Sequence, residues 1–173
     1  MHTYQPSPLA TVTTELTDGR PTLVFVRDLR HPPEKVWAAL TDPGQLGQWA
    51  PFTADRSLAE LGESTLHMID GEQVVDLPTV VTLVEPPVRL EYAWGDDRLR
   101  WELAPTPDGT RLTLHHVTQG PEWVSMVAAG WHICLDVAER LLDGAPIPPI
   151  RGEGARAHGW DDLHTAYQDR LGG

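Results

Sequence analysis

The chain has 173 residues, a formal net charge of −12 and 40% hydrophobic residues. At about 150 residues per domain this length predicts one domain, and the hydrophobic fraction is sufficient for a buried core. An acidic surface repels phosphate backbones and anionic headgroups, so the charge argues against nucleic acids and membranes as partners. The single cysteine excludes an intrachain disulfide, and we expect a soluble cytoplasmic protein.

The first third of the chain predicts a lead-in, a strand and two short helices. Residues 1–21 are rich in Thr and Pro, include a candidate strand at 11–16, and lack the features of a signal peptide. The β-rich run 23–29 predicts a strand. The proline pair that follows suits a first helical turn, and apolar residues at helical spacing extend from there to Pro51.

Between residues 55 and 118 the hydrophobic period changes to two, which is typical of strands. Short turn signals separate candidate strands at 55–61, 64–70, 73–85, 88–95, 98–106 and 109–118. Their hairpin-length separations predict an antiparallel meander. The alternation predicts one apolar face on the last three strands, formed by Leu90, Tyr92, Trp94, Leu99, Trp101, Leu103, Leu112, Leu114 and His116. The intervening residues are mostly polar and should face solvent.

The period returns to 3.6 over residues 121–143, which predicts the longest helix of the chain. Its apolar stripe includes Trp131 and Leu135, and Gly144 is a stop signal. A Pro/Gly-rich loop at 145–158 and a short helix complete the chain. Because a sheet with one apolar face needs a cover, we expect it to curl around the long helix. The enclosed space is then either a filled core or a ligand cavity.

Several stretches of the sequence, in this order, resemble a known superfamily. The stretch VFVRDLRHPPEKVWAALTDPGQLGQWAPF is similar to the opening of the START-like, or SRPBCC, superfamily, which has the helix-grip fold. The later stretches RLRWELAPTPDGTRLTLHHV and AAGWHICLDVAERLLDG resemble its activator-of-HSP-90-ATPase-homologue branch. The resemblance implies an α+β helix-grip domain over residues 22–144. Residues 1–21 are then a lead-in, and 145–173 a terminal loop and helix.

The resemblance leaves the function open, since the superfamily includes lipid carriers, polyketide cyclases, hormone receptors, chaperone co-factors and many bacterial members. It favours a protein that holds an apolar or aromatic small molecule between sheet and long helix, without a cofactor. The alternatives are an enzyme of the polyketide cyclase or dehydratase kind and an interaction protein. Eukaryotic chaperone activators carry an additional N-terminal domain, and the 21 residues before this fold argue against that role. A homodimer stays open.

Candidate ligand-binding residues are those expected to face the enclosed space: Asp76, Tyr92, Trp94, Trp101, His116, Trp131 and Leu135. The tryptophans among them suit a flat apolar ligand, although each could instead fill a closed core. His116 fits either a buried, hydrogen-bonded histidine or a residue that orients a ligand or moves a proton.

Other chemistry has little support in the sequence. His115 and His116 are adjacent on a strand and point to opposite faces, so they cannot easily share a metal ion. His132 and Asp136 lie four residues apart on the long helix and predict a solvated pair rather than a catalytic dyad. Cys134, beside the apolar stripe, predicts a buried and inert thiol. We therefore predict no metal site and name no catalytic residue.

Overall fold

The computed structural model of the protein describes residues 6–70, 73–150 and 153–171. Within these residues, eight strands form one antiparallel sheet in the order β1-β2-β8-β7-β6-β5-β4-β3. The strands are β1 (Thr11–Thr17), β2 (Arg20–Leu29), β3 (Phe52–Ala54), β4 (Gly62–Asp70), β5 (Gln73–Glu85), β6 (Arg89–Trp94), β7 (Asp97–Thr106) and β8 (Gly109–Val117). The helices are α1 (Pro33–Thr41), α2 (Pro43–Leu46), α3 (Pro121–Leu142), α4 (Glu153–Arg156) and α5 (Trp160–Leu171). This is the α+β helix-grip architecture that the sequence predicts.

The concave face of the sheet carries the apolar residues of the alternating pattern. Leu90 of β6 lies opposite Trp101 of β7, and Trp101 lies opposite Leu114 of β8. Phe25 of β2 continues this row beside Leu114. All four side chains are buried, whereas Arg100, next to Trp101, lies on the outer face in an ion pair with a strand neighbour. The predicted register of the face is therefore confirmed.

The predicted strand at 55–61 is wrong. The preceding residues form the short strand β3, which pairs with β4. Residues 55–61 instead make a turn, because the Arg56 guanidinium donates to three backbone carbonyls between positions 57 and 63. Those carbonyls gain partners within the loop, so the segment does not need a neighbouring strand to satisfy them.

The helix α3 lies against the concave face and is buried on every side along its middle. Each residue from 131 to 138 is buried, whereas an amphipathic helix on a sheet buries one side only. The sheet covers one side of α3. Another side is covered by α5 together with residues 6–10, which we call the N-terminal segment. No helix among the described residues combines the length and the apolar character needed to cross a membrane.

Three sides of α3 differ in their neighbours. The sheet side includes Trp131, and helical spacing places Leu135 with it. The pocket side carries Trp123, Met126, Val127, Gly130 and Cys134. The polar side carries His132, Asp136 and Glu139, which face the N-terminal segment, β2 and α5.

Candidate functional site

An apolar pocket of about 280 Å³ lies between the pocket side of α3 and the C-terminal part of the chain. Four of the seven tryptophans line it, namely Trp94, Trp123, Trp131 and Trp160. Ile150 and Ala155 add apolar surface on the side opposite α3. Among the described residues, no charged side chain lines this pocket. Its volume is close to the lower end of typical small-molecule sites, which begin at about 300 Å³.

Two of the pocket walls are indoles whose N–H groups already have partners in the protein. Trp94, at the end of β6, donates its Nε1–H to the Sδ atom of Met68 at 2.8 Å. Trp131 of α3 donates its Nε1–H to Nδ1 of His116 at 2.9 Å. The two indole rings lie 5.6 Å apart and are inclined at 61°. These two indoles therefore present aromatic surface to the pocket, while their N–H groups are hydrogen-bonded to Met68 and His116.

His116 lies behind this wall and does not line the pocket. Its side chain is fully buried, and its Nε2 lies 2.7 Å from a carboxylate oxygen of Asp97. Because an indole N–H can only donate, Nδ1 of His116 must accept, and the ring proton is on Nε2. The ring centroid of Trp94 lies 5.6 Å from that of His116. His116 thus contacts both Trp94 and Trp131, and its tautomer is set by its two partners.

Tyr92 and Trp101 lie deeper, in the core. Trp101 donates its Nε1–H to the Tyr92 hydroxyl at 3.2 Å, and burial raises the pKa of Tyr92. The Trp101 ring packs edge-on against Trp131 at 5.3 Å and against Trp49 at 6.0 Å. The sequence left open whether the space between sheet and α3 is a ligand cavity or a filled core, and these rings fill it. The pocket therefore lies beside α3, and not directly beneath it.

The remaining two candidate residues are not brought to this pocket. Asp76 lies on the outer face of β5, where its largely exposed carboxylate sits 2.7 Å from Nδ1 of His67. The neighbouring Leu77 pairs with Leu66 of β4 on the inner face, so the strand alternation turns Asp76 outward. Leu135 is buried on the sheet side of α3, where it packs within the core.

Trp123 and Trp160 line the pocket, although the sequence patterns favoured Trp94, Trp101 and Trp131 among the seven tryptophans. The helical spacing assigns Val127 to the stripe that faces the sheet, but in the structure Val127 belongs to a second stripe with Trp123, Gly130 and Cys134 that lines the pocket. That spacing was a readable signal, since steps of three and four residues mark one side of a helix. The role of Trp160 was not readable, because nothing in the sequence indicated where α5 packs.

A second buried cluster lies on the polar side of α3. Ser7 approaches Asp136 twice, through its backbone N–H at 3.1 Å and through its hydroxyl at 2.5 Å. His132 has its Nδ1 2.6 Å from the Tyr167 hydroxyl and its Nε2 3.2 Å from the Ser7 hydroxyl. Arg27 of β2 pairs with Asp136 at 2.7 Å. The prediction of a solvated His132–Asp136 pair is wrong, because both residues are buried beneath the segments that carry Ser7 and Tyr167.

The proton positions in this cluster follow from its geometry. The Ala10 N–H donates to the Tyr167 oxygen, and burial raises the pKa of Tyr167 to about 12, so its hydroxyl keeps its proton. That proton then points to Nδ1 of His132, which leaves the ring's own proton on Nε2, toward Ser7 and Asp136. In hydrolytic triads the aspartate faces Nδ1 and the serine faces Nε2. Here both face Nε2, so the geometry is not that of a triad. We call this cluster of Ser7, Arg27, His132, Asp136 and Tyr167 the tether, because it links the N-terminal segment and α5 to α3.

Among the described residues, no group of three or more His, Cys, Asp or Glu side chains is placed to hold a metal ion.

Solved structures with the same fold come from several bacteria. The conserved protein of unknown function EF2215 from Enterococcus faecalis has a TM-score of 0.69 and 17% identity; the match covers 92% of this chain and 89% of EF2215. For CalU16 from Micromonospora echinospora the TM-score is 0.66 and the identity 21%, with 92% and 95% covered. Protein MLL2253 from Mesorhizobium loti has a TM-score of 0.61 and 28% identity, with 73% and 99% covered. No curated protein matches the sequence.

The model of one protein family matches residues 30–143, which is more than half of the chain. The match starts just after β2 and ends just after α3, so it contains the meander and the long helix. The segments that cover the polar side of α3, and those that complete the pocket around Ile150 and Trp160, lie outside it. The chain belongs to the family of activator of Hsp90 ATPase homolog 1-like proteins, consistent with the SRPBCC superfamily.

Proposed function

We propose that this protein binds a small, flat, apolar molecule in the aromatic pocket beside α3. The observation that carries the proposal is the convergence of four tryptophans on one pocket of about 280 Å³. Aromatic rings gain from burial and from offset or edge-to-face contacts with other rings. A ligand of two or three aromatic rings suits a pocket of this size.

The chemistry of the lining supports binding over catalysis. Among the described residues, the pocket lining contains no carboxylate, imidazole, amine or guanidinium group, and its ionisable Cys134 is buried. The N–H groups of Trp94 and Trp131 are engaged by Met68 and His116, so these walls favour ring surface over hydrogen-bonding groups. The net charge of −12 also disfavours the approach of anionic ligands.

Binding is tested with N-phenyl-1-naphthylamine, an uncharged aromatic probe whose fluorescence rises in apolar surroundings. We expect saturable binding to the full chain, accompanied by quenching of tryptophan fluorescence. Absence of saturable binding up to the solubility limit of the probe would contradict the proposal.

Gly130 provides a variant that blocks the pocket without weakening the helix. A Cβ atom added at Gly130 meets no heavy atom within 4 Å, and the residue lines the pocket. A leucine there extends into the pocket, while replacing a glycine inside a helix is favourable by about 0.5–1 kcal/mol. We therefore expect Gly130→Leu to stay folded and to bind the probe at least about tenfold more weakly.

The matched control is Gly44→Leu, the same substitution on the exposed surface of α2. Its added Cβ atom meets only the Asp42 carboxylate, at 3.4 Å, and it lies outside the pocket lining. Binding should match that of the unmodified chain. If folded Gly130→Leu binds as tightly as this control, the probe occupies another site and the proposal fails.

A further inference from the structure

We infer that His116 is a positioning residue for the aromatic pocket, and that a second proton on its ring releases the Trp131 wall. This inference rests on the proposed function, because it concerns the same pocket. Three observations carry it. His116 is fully buried, its Nδ1 accepts the Trp131 N–H at 2.9 Å, and Trp131 lines the pocket.

The hydrogen bond between the two rings requires an unprotonated Nδ1. A histidine that carries both ring protons is a donor at both nitrogens and has no acceptor left. Its Nδ1–H would then face the Trp131 Nε1–H across the 2.9 Å that now separates the two nitrogens. Asp97, 2.7 Å from Nε2, holds the ring in place and attracts the added positive charge. The group that has to move is therefore the Trp131 indole.

Three other ionisable groups lie near His116, and the Trp131 N–H is directed at His116 and not at any of them. On β2, Arg20 is a cation and lies 3.8 Å from Asp97, on the far side of that carboxylate. On β6, Tyr92 has a raised pKa because it is buried, and its hydroxyl accepts from Trp101. On α3, Cys134 lies on the pocket lining one turn from Trp131.

A turn of the Trp131 indole changes the shape of the pocket directly. Its ring lies 5.6 Å from that of Trp94, the facing wall, and 5.3 Å from Trp101 in the core. The core side is closed by packed rings, so the free direction for the indole is toward the pocket. We therefore expect ligand binding to weaken as the pH falls.

The experiment follows the binding of N-phenyl-1-naphthylamine to the full chain between about pH 8 and about pH 5, the range in which histidines change charge. The expected result is a loss of affinity of at least about fivefold toward low pH. The variant His116→Asn keeps a side-chain oxygen that can accept from Trp131 but does not titrate in this range. We expect His116→Asn to bind with little dependence on pH. A profile in this variant that matches the unmodified chain would overturn the inference.

A second measurement needs neither a ligand nor a folded His116 variant. The Trp131 indole N–H resonance, identified by its absence in Trp131→Phe, is followed in ¹H–¹⁵N spectra of the unmodified chain. We expect this resonance to shift as the pH falls, with the same midpoint as the loss of probe binding. A resonance that stays in place while binding weakens would overturn the role of His116. If the probe fails to bind at about pH 8, the proposed function fails, and the resonance still tests the hydrogen bond.

Discussion

Two of the histidines that the structure describes, His116 and His132, are fully buried; they lie on different sides of α3 and have different kinds of partners. His116 sits among aromatic rings, with one indole N–H on one nitrogen and one carboxylate on the other. His132 contacts a phenol on one nitrogen, and a serine hydroxyl and a carboxylate on the other. Both rings are satisfied, so burial alone does not distinguish them. They differ in the location of their partners. Trp131, the partner of His116, is a pocket wall, whereas Ser7 and Tyr167, the partners of His132, come from the N-terminal segment and α5.

The largest effect should come from the polar side of α3. We expect Asp136→Ala to lower the free energy of unfolding by about 3–5 kcal/mol, because it removes one of the two carboxylates, Asp136 and Glu139, that lie 2.7 Å from the mostly buried Arg27 guanidinium. Ser7 and His132 lose a partner in the same step. Urea denaturation measures the change.

The control for this prediction is Asp28→Ala, which breaks an ion pair with Arg111 in which both side chains are more than half exposed. Exposed pairs contribute about 0–1 kcal/mol, so this variant should remain close to the unmodified protein. An equally small loss of unfolding free energy in both aspartate variants would show that the contacts of Asp136 contribute no more than an exposed ion pair.

The next effect separates the sheet side of α3 from its pocket side. Leu135→Ala should cost about 2–5 kcal/mol, since Leu135 is 1% exposed and its neighbours cannot collapse fully into the space it leaves. Val127→Ala should cost about 1 kcal/mol or less, because Val127 already borders the pocket. Midpoints of chemical denaturation test the order. An equal loss in the two variants would mean that the pocket side is packed like the core.

The smallest expected effect is the contribution of Tyr167 to the pH dependence of the protein's stability. Burial raises the pKa of Tyr167 to about 12, above the value of about 10 for a tyrosine in an unfolded chain. The folded state therefore holds this proton more tightly. The resulting stabilisation is complete below about pH 10 and is lost as the pH rises toward about 12.

Tyr167→Phe isolates this contribution. The variant should be less stable by about 1 kcal/mol near neutral pH, because the hydrogen bonds to Ala10 and His132 are gone. Its stability should then fall less steeply above about pH 10 than that of the unmodified chain. Tyr92, whose pKa is also raised by burial, is present in both proteins and cancels in the comparison. Parallel alkaline slopes would show that Tyr167 ionises as freely in the folded state as in the unfolded one.

The sequence predicted the sheet face and α3 because each follows from a local period. Trp101 and Leu114 were placed correctly by alternation alone, and Trp131 by helical spacing. The polar side of α3 could not be predicted in the same way. Ser7 reaches Asp136 across 129 positions, from a Thr- and Pro-rich segment without a hydrophobic period. Nothing local to either residue signals that contact.

The candidate site was predictable in part for the same reason. Trp94 and Trp131 were selected from two separate periods, and both line the pocket. Tyr92 and Trp101 came from the same patterns but fill the core, because a pattern gives the face of a residue and not the volume around it. Asp76 was selected although its position in the alternation turns it outward.

The contact between the N-terminal segment and α5 has a consequence for the order of events during folding. The Ala10 N–H takes its partner from Tyr167, 157 positions later, and a Cβ on Gly159 would lie 3.4 Å from Pro6. A folding chain can pair most of the sheet and lay α3 across it while the polar side still faces water. Contacts of such long sequence separation form slowly. A folding chain in which α5 has not yet docked therefore carries an unfinished, charged surface, and its first segment still lacks its partner Tyr167.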